Sequence, residues 1–80
     1  MMNNIFMINE GSRVMGKYYG SQFEGTVSYR RFHTINMDEM VFHIDLDQKI
    51  KTPIGEAESI GITVLHTTGI SRTNDCQLYL

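Results

Sequence analysis

Hydrophobic and polar residues alternate with a period of two along most of this chain. The clearest stretch is 40–47, where apolar residues at the even positions alternate with mostly polar residues at the odd positions. A period of two is typical of a β-strand with one buried face and one face in water. The face predicted to be buried carries Met40, Phe42, Ile44 and Leu46. The face predicted to be in water carries Val41, His43, Asp45 and Asp47.

The same pattern predicts further strands at 13–19, 22–35 and 54–65, with short ones at 5–8 and 77–80. Gly20 and Ser21 separate the first two long strands, which is the spacing of a tight hairpin. Residues 36–39 are predicted as a turn, 48–52 as a polar connection and 66–75 as a loop. Pro53 marks a strand start or an edge, and no convincing helix is predicted.

The strand at 22–35 is predicted to divide its side chains between two faces. Strict alternation places Arg31 and His33 on the face of Phe23, Val27 and Tyr29. Thr26, Ser28, Arg30 and Phe32 then share the other face.

The glycines of the first half favour a strongly bent sheet. Gly16, Gly20 and Gly25 recur where curved strands need backbone without a side chain, and Gly61 is a candidate bulge. The fold class predicted is all-β: one domain over 1–80, a small SH3-like barrel or a rolled antiparallel sheet of about five strands. Met15 and Met40 are expected in its core.

Composition limits where this domain works and what stabilises it. The single cysteine, Cys76, excludes an intramolecular disulfide and fits a reducing compartment. No apolar run approaches a membrane span, and residues 1–10 lack signal-peptide features. The expectation is therefore the cytoplasm, with no membrane partner. A core of this size supplies little stability, so a homo-oligomer is expected.

Charge is unevenly distributed around a formal net charge of −2. Because the net charge is negative, no double-stranded nucleic acid is expected as a partner. The stretch 13–33 is mainly basic and 34–80 is mainly acidic. One interpretation of this distribution is a soluble surface of mixed charge. The alternative is that the basic stretch attracts an anion locally, or that the two stretches attract each other between subunits.

The segment 13–27 carries the motif V-x-G-x-Y-x-G-x-x-F-x-G-x-V. Its residues are Val14, Gly16, Tyr18, Gly20, Phe23, Gly25 and Val27. The motif resembles the opening hairpin of SH3-like and Tudor-like small barrels, a resemblance that implies binding of peptides, modified side chains, nucleic acids or proteins.

The whole chain also resembles small accessory proteins of bacteriophages. Stretches 25–36 and 42–47 are similar in style to the core hairpin of nucleotide-sequestering sponge proteins. This resemblance implies a role against host defence signalling in the cytoplasm of a bacterial host, and it assigns no functional residue.

A polar cluster in the second predicted strand is the candidate binding site. Arginine offers a rigid fork for phosphate, tyrosine a flat face for a ring, and asparagine an amide for the ring edge. Alternatively, the arginines pair across the sheet with Glu24, Asp45 or Asp47. The predicted ligand-binding residues are Tyr18, Arg30, Arg31, His33 and Asn36, and Tyr19 and Tyr29 are further stacking candidates.

Metal binding and catalysis find weaker support. Side chains at His43, Asp45 and Asp47 share a face but lie about 7 Å apart along a strand, too far to close on one ion. The sequence places no histidine with a supporting acid near Cys76, so no activated nucleophile is indicated. The carboxylate pairs 45/47 and 56/58 are expected to lie on the surface. No metal, no cofactor and no enzymatic activity are therefore expected.

The predicted function is sequestration of a small anionic, nucleotide-like ligand without turnover. The alternative is an interaction module that inhibits a host protein complex through an acidic surface mimicking nucleic-acid charge. A third interpretation is an oligomeric enzyme with a pore site. The acidic surface would consist of Asp38, Glu39, Asp45, Asp47, Glu56 and Glu58.

Overall fold

The fold is a single curled sheet of five antiparallel strands, a half-barrel consistent with a small SH3-like rolled sheet. It is seen in a computed structural model that describes residues 8–33, 39–65 and 75–79. None of these residues is helical, and none belongs to a helix able to cross a membrane. In the sheet the strands lie in the order β4-β3-β2-β1-β5. The strands are β1 (Arg13–Tyr18), β2 (Ser21–His33), β3 (Glu39–Thr52), β4 (Gly55–Leu65) and β5 (Cys76–Leu78).

The predicted strands at 13–19, 22–35 and 54–65 agree with β1, β2 and β4 in position, and β5 covers part of the predicted 77–80. The β1–β2 turn uses Tyr19 and Gly20, whose φ angles of 52° and 83° suit the tight turns that join twisted strands. Predictions for 1–7, 34–38 and 66–74 fall outside the described residues.

The polar connection predicted at 48–52 is wrong, because β3 continues to Thr52. Ile50, Lys51 and Thr52 pair with the start of β4. Thr52 closes the hairpin: its Oγ1 donates to the carbonyl of Gly55 over 2.6 Å and accepts from the N–H of Ile54 over 3.3 Å. Ile50 is the single apolar residue in 48–52, so hydrophobic alternation does not reveal the strand there.

The core lies on the inner face of the curl, where Met40, Phe42 and Ile44 are completely buried. The predicted burial of Met40 is confirmed. The predicted burial of Met15 is wrong, because Met15 pairs with Glu24 on the opposite face and is 49% exposed. We call this opposite face the outer face. The remaining buried side chains are Val14, Tyr18, Phe23, Val27, Ile50, Ile60, Ile62, Val64 and Cys76.

A β-bulge in β2 changes which side chains face the core. Val27 pairs with Ile44, but the next β3 residue, His43, pairs with Tyr29. The extra residue, Ser28, donates its hydroxyl hydrogen to the carbonyl of His43 over 2.9 Å. Side chains beyond the bulge therefore exchange faces relative to strict alternation.

The predicted division of β2 into two faces is thus wrong beyond Val27. Arg30 pairs with Phe42 on the core face. Tyr29 and Arg31 keep a common face, as predicted, but it is the outer face, whereas Phe23 and Val27 lie on the core face.

Candidate functional site

The five predicted ligand-binding residues do not form one cluster. Tyr18 is only 5% exposed and belongs to the core. Arg30 lies on the core face, where its Nη1 donates to the carbonyl of Ile8 over 2.5 Å. Arg31 lies on the outer face, opposite Val41, and the main chain of His33 pairs with Glu39. Asn36 lies outside the described residues.

The outer face carries a pair of parallel rings instead. Tyr29 on β2 and His43 on β3 are directly paired, with ring centroids 5.7 Å apart and an interplanar angle of 18°. Offset stacking at 4.5–7 Å is the favourable arrangement for two such rings. Tyr29 is 45% exposed, so the pair is accessible from solvent.

Gly61 leaves an open position next to this pair. It lies opposite His43 on β4, in the same cross-strand row as Tyr29 and His43. A Cβ atom built on Gly61 meets nothing closer than the carbonyl oxygen of Phe42, at 3.9 Å. Neighbouring strands lie about 4.8 Å apart, which is a stacking distance. We call this position beside the imidazole of His43, above Gly61, the glycine slot.

Arg31 supplies the positive charge of this surface. It is exposed on the outer face two residues beyond Tyr29, and its side chain makes no hydrogen bond or ion pair with any other described residue. Its Cα lies about 12 Å from that of Gly61, two strands across and two residues along.

The three carboxylates expected to pair with the arginines of β2 have other partners. Asp47 forms a two-point ion pair with Arg13, with 3.1 Å between Arg13 Nη1 and Asp47 Oδ1, and Glu24 lies 3.5 Å from Arg13 Nη2. Asp45 Oδ1 lies 3.6 Å from His43 Nε2. Cross-strand neutralisation by these three acids, the alternative interpretation of the arginine cluster, therefore does not account for Arg31.

The proposed metal ligands are likewise separated. His43 contacts Asp45, whereas Asp47 is held by Arg13. Within the described part of the chain, no group of three histidine, cysteine, aspartate or glutamate side chains is placed to hold a metal ion.

Cys76 is buried at the start of β5. Burial raises the pKa of its thiol from 9.0 to about 11. The thiol is therefore protonated at neutral pH, and a protonated thiol is a poor nucleophile.

Sequence reasoning missed the combination of His43 with Gly61. Tyr29 was a stacking candidate and Gly61 a candidate bulge, but only the register of three strands places them in one row with His43. The chain matches no protein-family model, no curated protein and no solved structure.

Proposed function

We propose that this protein binds a small anionic ligand with a planar ring, of nucleotide type, on its outer face. The ring enters the glycine slot and continues the stack formed by Tyr29 and His43. The anionic group reaches Arg31. The observation that supports this proposal is the empty glycine position at stacking distance from an exposed ring pair.

The chemistry of the two ends differs, which gives the ligand an orientation. Stacking of a base on an aromatic side chain contributes about 1–3 kcal/mol and tolerates different bases. A guanidinium binds phosphate through two parallel charge-assisted hydrogen bonds. Asp45 lies beside His43 with its carboxylate 61% exposed, and it offers an acceptor for a hydroxyl or amino group of the ligand.

Sequestration is the role we propose for such binding. A protein that binds a nucleotide signal without converting it lowers the free concentration of that signal in proportion to its own abundance. In a bacterial cell infected by a phage, this would weaken defence signalling. A homo-oligomer that covers the open side of the glycine slot would deepen the site and slow ligand release.

The rival, inhibition of a host complex through an acidic surface, has less support from the geometry. Of its six carboxylates, Asp47 is neutralised by Arg13 and Glu56 lies 4.0 Å from Lys49. Asp45 and Glu58 line one groove beside β3 and β4, and with Glu39 they are the described residues on which this rival depends. Asp38 lies outside the described residues.

Two substitutions of one residue test the proposed site. Gly61→Val fills the glycine slot with a β-branched side chain, whereas Gly61→Ala adds one methyl group at ordinary contact distance. Titration calorimetry with AMP, cyclic AMP and cyclic di-AMP compares both variants with the wild type. We expect binding of at least one probe to be lost in Gly61→Val and retained in Gly61→Ala. Equal binding by Gly61→Val would overturn the proposed site.

A further inference from the structure

The strand β4 forms one edge of the sheet. It is the first strand in the order β4-β3-β2-β1-β5 and is 11 residues long, whereas β5, at the other edge, has three residues. Residues 59–65 of β4 pair with 39–45 of β3 without any irregularity, so this part of the edge is a regular strand. A long, regular edge is a template for a further strand. We call residues 59–65 the edge run.

The hydrogen bonds of β2 fix the direction of the main-chain groups across the sheet. The N–H of Val27 donates to the carbonyl of Ser12 over 2.9 Å, and its carbonyl accepts from the N–H of Gly11 over 2.7 Å, both on the β1 side. Because main-chain direction alternates along a strand, the groups of Thr26 point toward β3, and those of its partner Asp45 point back toward β2.

The same alternation continues from β3 into the edge run. Ile44 precedes Asp45, so its main-chain groups point toward its partner Ile60 on β4. The N–H and carbonyl groups of Gly61 and Thr63 therefore point away from β3. Within the part of the chain that the structure describes, no group bonds to them on that side. These donors and acceptors are available to an added strand.

The edge run lacks the features that prevent strand addition. It contains no charged residue and no proline, and natural edge strands commonly use both to block pairing. The two charged residues of β4, Glu56 and Glu58, both lie near its beginning. The inner-face side chains Ile60, Ile62 and Val64 are buried. The edge run therefore offers main-chain pairing next to an apolar row.

The charge pattern of β4 suits a second copy of the same strand. In an antiparallel pair around a two-fold axis, the edge run lies against itself and its donors match its acceptors. The two acidic beginnings then lie at opposite ends of the pair, so no like charges face each other. Such a pair also places the two inner-face rows side by side, which extends a core that is small in a single chain of 80 residues.

We propose that the protein forms a dimer in which β4 pairs antiparallel with β4 of a second copy, around a two-fold axis within the edge run. Gly61 lies in this run, so the partner strand bounds the glycine slot on the side away from His43. The statement about the slot rests on the proposed function, whereas the strand pairing needs no ligand.

Three variants of one residue test the pairing by light scattering of the ligand-free protein. Thr63→Pro removes an outward N–H and places the proline ring where the partner strand would lie, at an edge position that tolerates proline. Thr63→Val is the matched control, because it keeps the N–H and the branched side chain. Thr63→Lys adds a charge to the edge run and leaves the main chain unchanged. We expect dimers for the wild type and Thr63→Val, and monomers for Thr63→Pro and Thr63→Lys.

Amide hydrogen exchange locates the interface. We expect the amide of Gly61 to exchange at least about tenfold more slowly in the wild type than in Thr63→Lys. The amides of Ile60 and Ile62 bond to β3 and should be protected equally in both, which confirms that the variant is folded.

A monomeric wild type would overturn the proposal, as would a dimer that leaves the Gly61 amide unprotected or that persists in Thr63→Lys. A dimer with the expected protection that binds no nucleotide would contradict the proposed function and support the pairing. A monomer that binds nucleotide would contradict the pairing alone.

Discussion

The imidazole of His43 lies parallel to the phenol ring of Tyr29, 5.7 Å away across the β2–β3 ladder. Tyr29 reaches the outer face beside His43 because the bulge at Ser28 moves it away from the core side. Without the bulge, Tyr29 would follow Val27 into the interior and no exposed ring pair would exist. The proposed binding surface therefore depends on one extra residue in β2.

Arg31 is the residue on which recognition of the anion depends. Arg31→Ala is expected to weaken binding of a phosphate-bearing probe by about tenfold to a hundredfold, since hydrogen bonds to charged groups contribute about 1.5–3 kcal/mol. The affinity of Arg31→Lys should lie between those of the wild type and Arg31→Ala, because lysine keeps the charge but lacks the planar fork. Titration calorimetry measures both. Lys17→Ala, which removes an exposed cation elsewhere, should bind like the wild type.

Gly25 is required for close approach of β2 to β3. A Cβ atom there would lie 2.5 Å from the carbonyl oxygen of Asp45 and 2.6 Å from Cγ2 of Ile44. Gly25→Ala should therefore lower the free energy of unfolding by about 1–3 kcal/mol. Urea denaturation measures this, with Gly61→Ala as the matched control. A free energy unchanged in Gly25→Ala would contradict the close approach.

The buried thiol of Cys76 predicts a specific alkaline effect. The pKa is about 11 in the folded chain and near 9 when the thiol is exposed by unfolding. Its contribution to stability is therefore complete below pH 9 and is lost between pH 9 and 11. Thermal unfolding from pH 8 to 11 should show a smaller alkaline loss in Cys76→Ala than in the wild type. The native thiol should also react slowly with Ellman's reagent at pH 8 and rapidly in urea.

Charge reversal on β4 separates the proposed function from its rival. Glu58→Lys reverses a carboxylate on which the acidic surface depends and which the proposed ligand site does not use. The rival predicts loss of the cellular activity, whereas nucleotide sequestration predicts that the activity depends on Arg31 instead. Protection of phage replication in host cells, measured for Glu58→Lys and for Arg31→Ala, distinguishes the two.

Much of this fold follows from a period-two pattern that local sequence carries. Apolar residues at even positions of 40–46 give β3 its inner face, and the glycine spacing in 16–25 gives the curvature. The register between strands is not local. Ser28 has no feature that marks a bulge, so alternation extended through it assigned Arg30 and Arg31 to the wrong faces.

The sequence indicates which residue types form the candidate site, but it does not indicate where on the sheet they meet. The sequence predicts Arg31 and Tyr29 on one face, and β2 does keep these two together. The glycine slot depends on Gly61, which is distant in sequence and meets His43 only through the β3–β4 pairing. Tyr18 is a stacking candidate in the sequence because its ring offers a flat face, but its position on the inner face of β1 places the ring in the core.

Native mass spectrometry tests the central claim most directly. Wild type, Gly61→Ala and Gly61→Val are each incubated with the nucleotide pool extracted from bacterial cells, and the bound mass is read. The account predicts one nucleotide-sized mass per subunit on the wild type and Gly61→Ala, and none on Gly61→Val. A wild type that carries no such mass, or a Gly61→Val that carries it equally, would contradict a ligand site at the glycine slot.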